Sequence, residues 1–413
     1  MPWKRVDVSE QRMQFVRRAV SGKERMAALC REFGISRPTG YLWRRRYLET
    51  RSLSAVVERS RRPRCSPTRT AAWKEERVVA ARQVEGWGAR KLHVVLRDEQ
   101  QLQVPARTIH RILARHELLR QDVHGPAPER FVRGTPNELW QMDSKGKYRL
   151  HDGGQCHALC MVDDHSRYAV GVYALPVLTM EHTYPCIVNT FRTYGLPQAL
   201  LMDHGSLWWA TANGWGLTWL SVRLIEQGIR LLYGRVAHPQ TQGKVERLHR
   251  TLGEALRHRG VPQKFAAWPA AVAEFQSTYN NRRPHEALGM RRPRELYQAS
   301  ARGYQEQPRA WEYPAGSEVR RVNVNGAISE AGRKWFVCEA LAGRQVRVER
   351  FDGKLLVSYR HMYLREIDLA RGTTQALVRA RGGATVEPAP VALRATSAGS
   401  TDPNIEEKAN AKV

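Results

Sequence analysis

The spacing of apolar positions changes several times along the chain, and each change marks a different kind of element. Residues 9–48 carry helical spacing in three short blocks. Met26, Ala27, Leu29, Cys30 and Phe33 form one apolar face, which Gly34-Ile35-Ser36 ends. Ser36 is placed to cap the next helix, with Pro38 in its first turn, where a missing N–H costs little. Ile35, Thr39, Leu42 or Trp43, and Tyr47 then recur at helical spacing, which puts Arg37, Gly40, Arg44 and Arg45 on the opposite side. A helix, a glycine-containing turn and a basic second helix predict a helix-turn-helix unit over 1–50, whose second helix suits a major groove. An ordinary three-helix core is the bland alternative.

The same theme returns over 70–122. Trp73, Val78 and Val79 mark one helix, Leu92, Val95 and Leu96 a second, and Pro105 through Ile109, Ile112 and Leu113 a third. Arg107, Arg111 and Arg115 share another face of that third helix, so this segment reads as a second helix-turn-helix unit. Between the two units, 51–69 is a basic linker in which Pro63 and Pro67 interrupt Arg59, Arg61, Arg62, Arg64 and Arg69. Such a tether can track phosphates while remaining unfolded. Pro126, Pro128, Gly134 and Pro136 punctuate the next linker.

Over 130–305 the pattern becomes alternating α/β. Strands are expected at Leu139–Leu150, Ala158–Val162, Tyr168–Ala174, Ala199–Met202 and Ile229–Tyr233. Helices are expected at Met180–Tyr194, near Leu217–Gln227, at 242–258 and at 268–283. Strands first, then alternating strand and helix, predict a mixed sheet covered by helices. Residues 316–370 switch to period two, with Asp352-Gly353 as a hairpin signal, and predict a small β-barrel. The polar, Ala-, Thr- and Pro-rich stretch 371–413 is expected to be disordered.

Composition then narrows the partner. The 413 residues hold 67 Lys+Arg against 40 Asp+Glu, a formal net charge of +27 concentrated in the first third. A surplus this large points to a polyanion. No apolar run approaches the ~20 residues of a membrane span, and no apolar stretch follows the N-terminus to act as a signal peptide. Six cysteines make no disulfide framework, so a reducing, cytoplasmic setting is expected. Cys156 and Cys160 fall in an apolar run with no second ligand pair nearby, which favours a strand interior over a zinc site.

Against this basic background three carboxylates stand in distinctive settings. Asp143 follows Leu139-Trp140-Gln141-Met142, Asp203 follows Leu200-Leu201-Met202 and precedes His204-Gly205, and Glu246 lies early in a helix after Gly243-Lys244-Val245. Cutting or joining a phosphodiester needs an attacking oxygen, a leaving oxygen in line with it, and neutralised charge between them. Two magnesium ions about 4 Å apart supply all three, held by a few carboxylates from separate elements. Val245, Leu248, Leu252 and Leu256 form the apolar stripe of the helix, with Glu246 at its edge. Lys244, Arg247 and Arg250 are near enough to meet nucleic-acid phosphate. Taken singly, Glu246 reads as a surface residue paired with Arg250, Asp203 as a turn residue and Asp143 as an edge-strand polar group.

Four strings carry a family resemblance: Trp140-Gln141-Met142-Asp143, Met202-Asp203-His204-Gly205, the run from His238 to Arg247, and Tyr279-Asn280-Asn281-Arg282-Arg283-Pro284-His285-Glu286-Ala287-Leu288-Gly289. They resemble the successive motifs of integrase-type DDE transposases from bacterial insertion sequences, whose core has the ribonuclease-H-like fold of retroviral integrases. The resemblance implies that Asp143, Asp203 and Glu246 form the metal-binding triad, with two Mg2+ or Mn2+ ions. It implies water attack to free a 3′-OH at the element end, followed by attack of that 3′-OH on target DNA. It also implies double-stranded DNA as partner, a homo-oligomer on DNA, and a bacterial, nucleoid-associated location. A DNA-binding or regulatory protein with an inactive core is the alternative.

Two departures bear on the second carboxylate. His204 stands where the family usually has Asn, and the interval from Asp203 to Glu246 is longer than in compact members. Trp208, Trp209, Trp215 and Trp219 fill that interval; they suit a local core, or stacking on an unpaired base. Arg282, Arg283 and His285 line a DNA channel in one reading of their motif, while Pro284 and Leu288 cap the core in the other. Asp163, Asp164 and Arg167 read as hairpin-turn residues.

Overall fold

The computed structural model describes residues 8–57, 69–119, 132–210, 216–234 and 242–377. The chain divides into two compact units, Met1–Ala71 and Ala72–Val413.

In the first unit, helices α1 (Val8–Ser21), α2 (Met26–Glu32) and α3 (Arg37–Thr50) close over Phe15, Val16, Ala19, Leu29, Cys30 and Val56. Ser36 caps α3 as expected, its hydroxyl accepting from the Thr39 N–H at 3.4 Å. One face assignment is corrected. Gly40 is buried, and a Cβ there would come within 2.6 Å of Cys30 Sγ and 2.9 Å of Phe15. It is the point where α3 crosses the other two helices closely, not part of the polar face. Arg37 and Arg45 are exposed and Arg44 is half-buried. Residues Leu53–Val56 form one 3-10 turn that seats Val56 in this core, so the start of the expected linker belongs to the folded unit. The basic run from Arg59 to Arg64 lies outside the described residues.

The second unit begins with α4 (Ala72–Glu85), α5 (Ala89–Gln100) and α6 (Ala106–Arg115) around Val78, Leu92, Leu96, Ile109, Ile112 and Leu113. Trp73, expected on the apolar face of α4, is exposed. Arg107 and Arg111 are exposed on α6, whereas Arg115 turns back to Glu75 at 2.7 Å.

The α/β region builds one five-stranded mixed sheet. Its strands are β1 (Leu139–Arg149), β2 (Gln155–Asp163), β3 (Ala169–Leu175), β4 (Ala199–Met202) and, after a two-strand ribbon of β5 (Trp209–Ala210) and β6 (Gly216–Leu217), β7 (Arg230–Tyr233). The order is β3-β2-β1-β4-β7, antiparallel through β1 to β3 and parallel from β1 through β4 to β7. Cys156 and Cys160 are buried, unpaired thiols inside β2, as the apolar run implied.

Alternation along β1 sorts its side chains to the two faces. Trp140 and Met142 join the side covered by α7 (Met180–Tyr194) and α8 (Trp219–Glu226). Gln141 and Asp143 point to the other side, covered by α9 (Gly243–Arg259) and α10 (Trp268–Asn281). There the predicted stripe of Val245, Leu248, Leu252 and Leu256 packs on Ala158, Cys160 and Val162.

The last region is an open antiparallel sheet, which corrects the expected barrel. Strands β8 (Glu318–Arg321), β11 (Gln345–Phe351), β12 (Lys354–Tyr359), β13 (Met362–Asp368) and β14 (Thr373–Ala376) run in the order β14-β13-β12-β11-β8. The hairpin of β9 (Ala327–Glu330) and β10 (Arg333–Phe336) stands as a separate pair. Asp352-Gly353 makes the predicted turn, both residues at positive φ. Closure would pair β8 with β14. Instead the apolar side of this sheet merges with the α7–α8 side of the α/β region in one continuous core, so nothing remains to be buried by curling. Residues 373–376 are strand, so the chain stays folded past the expected start of the tail; 378–413 lie outside the described residues.

Candidate active site

Three elements deliver the three carboxylates. Asp143 sits midway along the central strand β1, Asp203 follows directly after the parallel neighbour β4, and Glu246 lies in the first turn of α9. Asp143 is partly covered, and its Oδ1 accepts from the Ser144 N–H at 2.7 Å. Burial pushes its carboxyl up to about 7, with the charges of Asp203 and Glu246 adding to the rise and the Ser144 N–H and Lys145 opposing it. Asp143 therefore feels both other carboxylates. The Glu246 carboxyl is also raised, by partial burial, although the side chain as a whole stays exposed.

The turn after β4 is tight. Asp203 Oδ1 accepts from the Gly205 N–H at 3.0 Å, and a Cβ at Gly205 would crowd Asp203 Oδ1 at 3.0 Å and Trp208 Nε1 at 3.1 Å. His204 is half-buried among aromatic rings, 5.1 Å from Trp209 and 5.7 Å from Tyr233 between centroids. Burial lowers its pKa, against the pull of Asp203. Trp208 and Trp209 are buried here, so the first part of the Trp-rich interval forms a local core. Trp219 is 51% exposed with the Arg344 guanidinium over its ring, and Trp215 lies outside the described residues.

Two neighbours of the carboxylates were not singled out from sequence. His249, one turn along α9 from Glu246, is buried with Nδ1 3.7 Å from Asp143 Oδ2. Burial holds its pKa down to about 4, so it faces Asp143 as a neutral ring. Beside Glu246, a groove of about 340 Å3 is lined by Lys145, Tyr148, Arg250, Gly253 and Arg257. Helical spacing alone places Arg250, Gly253 and Arg257 on one side of α9; only the packing of β1 brings Lys145 and Tyr148 to them.

The basic residues expected to meet DNA separate into two groups. Arg247 and Arg250 are exposed on α9. Lys244 is turned inward and pairs with the buried Asp164; burial lowers its pKa to about 8 despite that partner. In the Tyr279–Gly289 motif, His285 is 5% exposed and Arg283 is half-buried with its guanidinium over the Tyr279 ring. Pro284 is buried as well, so this motif caps the core in the structure. Asp163, the last residue of β2, and Asp164, in the turn after it, both accept hydrogen bonds on each carboxylate oxygen. Asp163 takes the Asn137 N–H at 2.7 Å, the Ser166 N–H at 2.7 Å and the Ser166 hydroxyl at 2.6 Å.

The donor set fits a hard divalent cation. It consists of carboxylate oxygens, burial keeps the Cys160 thiol opposite Asp143 protonated, and the mutual repulsion registered at Asp143 is what a cation relieves. Among the described residues no three His, Cys, Asp or Glu side chains are gathered closely enough to enclose a single ion. In the same residues no helix is long and apolar enough to cross a membrane.

Comparison with known proteins agrees with this architecture. Residues 227–293 match the integrase core domain, residues 11–64 a helix-turn-helix domain and residues 39–113 a homeodomain-like domain. The chain is 24% identical over 241 residues to the insertion element IS407 uncharacterized 31.7 kDa protein of Burkholderia multivorans, an alignment covering 54% of this chain and 81% of that one. Among solved structures it is similar to the HTLV-2 integrase catalytic core domain in complex with magnesium, at 17% identity and TM-score 0.30 over 40% of this chain and 97% of that one. It is also similar to a simian T-cell lymphotropic virus intasome chain, at 15% identity and TM-score 0.35 over 72% and 95% of the two chains. The chain thus joins an integrase core domain to N-terminal helix-turn-helix domains and has a distant homologue in an insertion-element protein.

Proposed function

We propose that this integrase core is the catalytic domain of a DDE transposase, which cuts a DNA strand to free a 3′-OH and joins that end to target DNA. The observation that carries the reading is placement: Asp143 lies midway along β1, Asp203 directly after its parallel neighbour β4, and Glu246 in the first turn of α9, the helix packed on the Asp143 side of the sheet. Asp143, Asp203 and Glu246 would hold two Mg2+ or Mn2+ ions, which supply charge neutralisation and a lowered pKa for the attacking hydroxyl. The protein's own part is positioning. Asp143 lies on the central strand, and neutral His249 packs against it without adding charge. The groove of Lys145, Tyr148, Arg250 and Arg257 seats the phosphodiester backbone beside Glu246, with Arg247 exposed on the same helix.

Recognition of the element ends falls to the helical modules, through Arg37, Arg44 and Arg45 on α3 and through Arg107 and Arg111 on α6. Joining two ends requires two active sites, so a homo-oligomer assembled on double-stranded DNA is expected.

The experiment is strand transfer on DNA bearing the inverted repeats that flank the coding sequence, with Mg2+ or Mn2+. Asp143→Ala, Asp203→Ala and Glu246→Ala should each remove both end cleavage and joining while end binding, measured by gel shift, persists. Undiminished joining by any one of the three sinks the triad. Cleavage without a covalent donor–target product would make the protein a nuclease instead.

A further inference from the structure

Resting on the strand-transfer reading, we propose that Gln141, Asp164 and Lys244 are positioning residues that lock the start of α9 to β1 and so fix the separation of Glu246 from Asp143.

Helix α9 begins without a cap of its own: its N-cap residue, Gln242, makes no side-chain capping bond. The first N–H groups of a helix need acceptors from elsewhere. Gln141 supplies one from the neighbouring strand. Its Oε1 accepts from the Lys244 N–H at 3.2 Å and the Val245 N–H at 3.3 Å. Gln141 is fully buried and stands two residues before Asp143, hence on the same face of β1. The residue after Val245 is Glu246. One strand therefore presents Asp143 and, through Gln141, grips the helix end that carries Glu246.

Asp164 completes the lock. Its Oδ1 accepts from Gln141 Nε2 at 2.9 Å and also pairs with the Lys244 ammonium, while Oδ2 accepts from the Arg133 N–H at 2.9 Å. The Asp164 N–H donates to the Leu139 carbonyl at 2.9 Å, which ties the turn after β2 back to the head of β1. The amide of Gln141 is thus oriented from both ends: Asp164 takes its N–H, so its oxygen must face the helix. Lys244 closes the ring from α9 itself. None of the three faces the groove beside Glu246. A shift of about 1 Å at a catalytic group can cost about 10²-fold in rate, so a contact that sets this distance is felt in turnover although it touches no DNA.

The test uses the full chain, element-end DNA and four variants: Gln141→Leu, Asp164→Asn, Lys244→Met and the neutral double D164N/K244M. Amide hydrogen exchange of the metal-free protein reads the lock without activity; exchange at Lys244 and Val245 should quicken in Gln141→Leu. The single variants should lose roughly 10- to 100-fold in kcat with KM for DNA and the salt slope of DNA binding unchanged. The double should fare no worse than the poorer single, because the two side chains act as one unit. Should Gln141→Leu fail to fold, the double decides through the same rates. Unchanged exchange, or kcat within about twofold of wild type in folded variants, overturns the lock. So does Lys244→Met weakening DNA binding and its salt slope with kcat intact, since Lys244 would then be a phosphate contact. A wild-type protein that protects these amides yet never joins ends counts against the strand-transfer reading instead.

Discussion

The catalytic region meets two neighbours in the second unit, and the two joints are made of different material. Toward the C-terminal sheet the joint is apolar. Leu217, Leu220 and Ile225 belong to the same buried cluster as Leu341, Val357 and Ile367, with no polar layer between them. Glu226 then pins the rim, accepting from Arg344 at 2.8 Å and from the Tyr359 hydroxyl at 3.1 Å. Toward the α4–α6 module the joint is ionic. Arg282 reaches Glu85 at 3.0 Å and Glu99 at 2.7 Å, Lys91 reaches Glu286 at 2.8 Å, and Arg292 reaches Asp98 at 3.1 Å. The module keeps its own apolar cluster, separate from that of α9 and α10. An apolar joint stabilises in proportion to the area it hides and makes two regions one folding unit. These pairs range from the more exposed Arg282–Glu99 to pairs in which Glu85 and Lys91 are largely buried, and salt should weaken this joint more than the apolar one.

The comparison breaks most directly at Leu341, which is fully buried in the apolar joint. Leu341→Ala should cost about 2–5 kcal/mol, with the catalytic region and the C-terminal sheet still melting in one transition. Two resolved transitions in calorimetry would show the joint to be weaker than its burial implies.

Acid tests the other side. His285 lies beside the ionic joint, and burial, reinforced by the charges of Arg283, Arg167, Arg247 and Lys91, lowers its pKa from 6.5 to about 3. A histidine kept neutral by the fold binds its proton more readily when unfolded. Its contribution is therefore complete above pH ~6.5 and is lost progressively as pH falls toward 3. Between pH 7 and 5 the loss should be about 2 kcal/mol in denaturant titrations, and His285→Gln should flatten it. An identical pH slope in that variant would assign the acid sensitivity elsewhere.

The smallest effect is expected at the ion pairs. Glu99→Gln, which removes the more exposed of the two carboxylates that Arg282 meets, should lower global stability by no more than about 1 kcal/mol, yet raise amide hydrogen exchange across α4–α6. Added salt should do the same to the wild type. Exchange that ignores both would mean that the module is held by something other than these charges.

Legibility followed the range of the interaction. The helix stripe Val245-Leu248-Leu252-Leu256, the Ser36 cap and the Asp352-Gly353 turn were readable because each depends on residues a few positions apart. The fates of Lys244, His285 and Gly40 were not. A lysine in a basic string reads as a phosphate contact until Asp164, some eighty positions away, folds against it. Gly40 reads as a gap in a polar face until Cys30 and Phe15 are seen to need its missing side chain. Gln141 carried a usable signal, its two-residue offset from Asp143 on a strand, but its partners lie on other elements.

By itself the sequence set out the succession of helical, α/β and β segments and the excess of positive charge, and it singled out three carboxylates, since periodicity, composition and motif strings are local properties of the chain. Only the tertiary structure decided that the C-terminal sheet stays open, that Lys244 pairs with Asp164, and which groups surround Asp143. Those outcomes rest on which apolar faces and which charges meet across long stretches of chain, and burial settles them only after the sheet has formed.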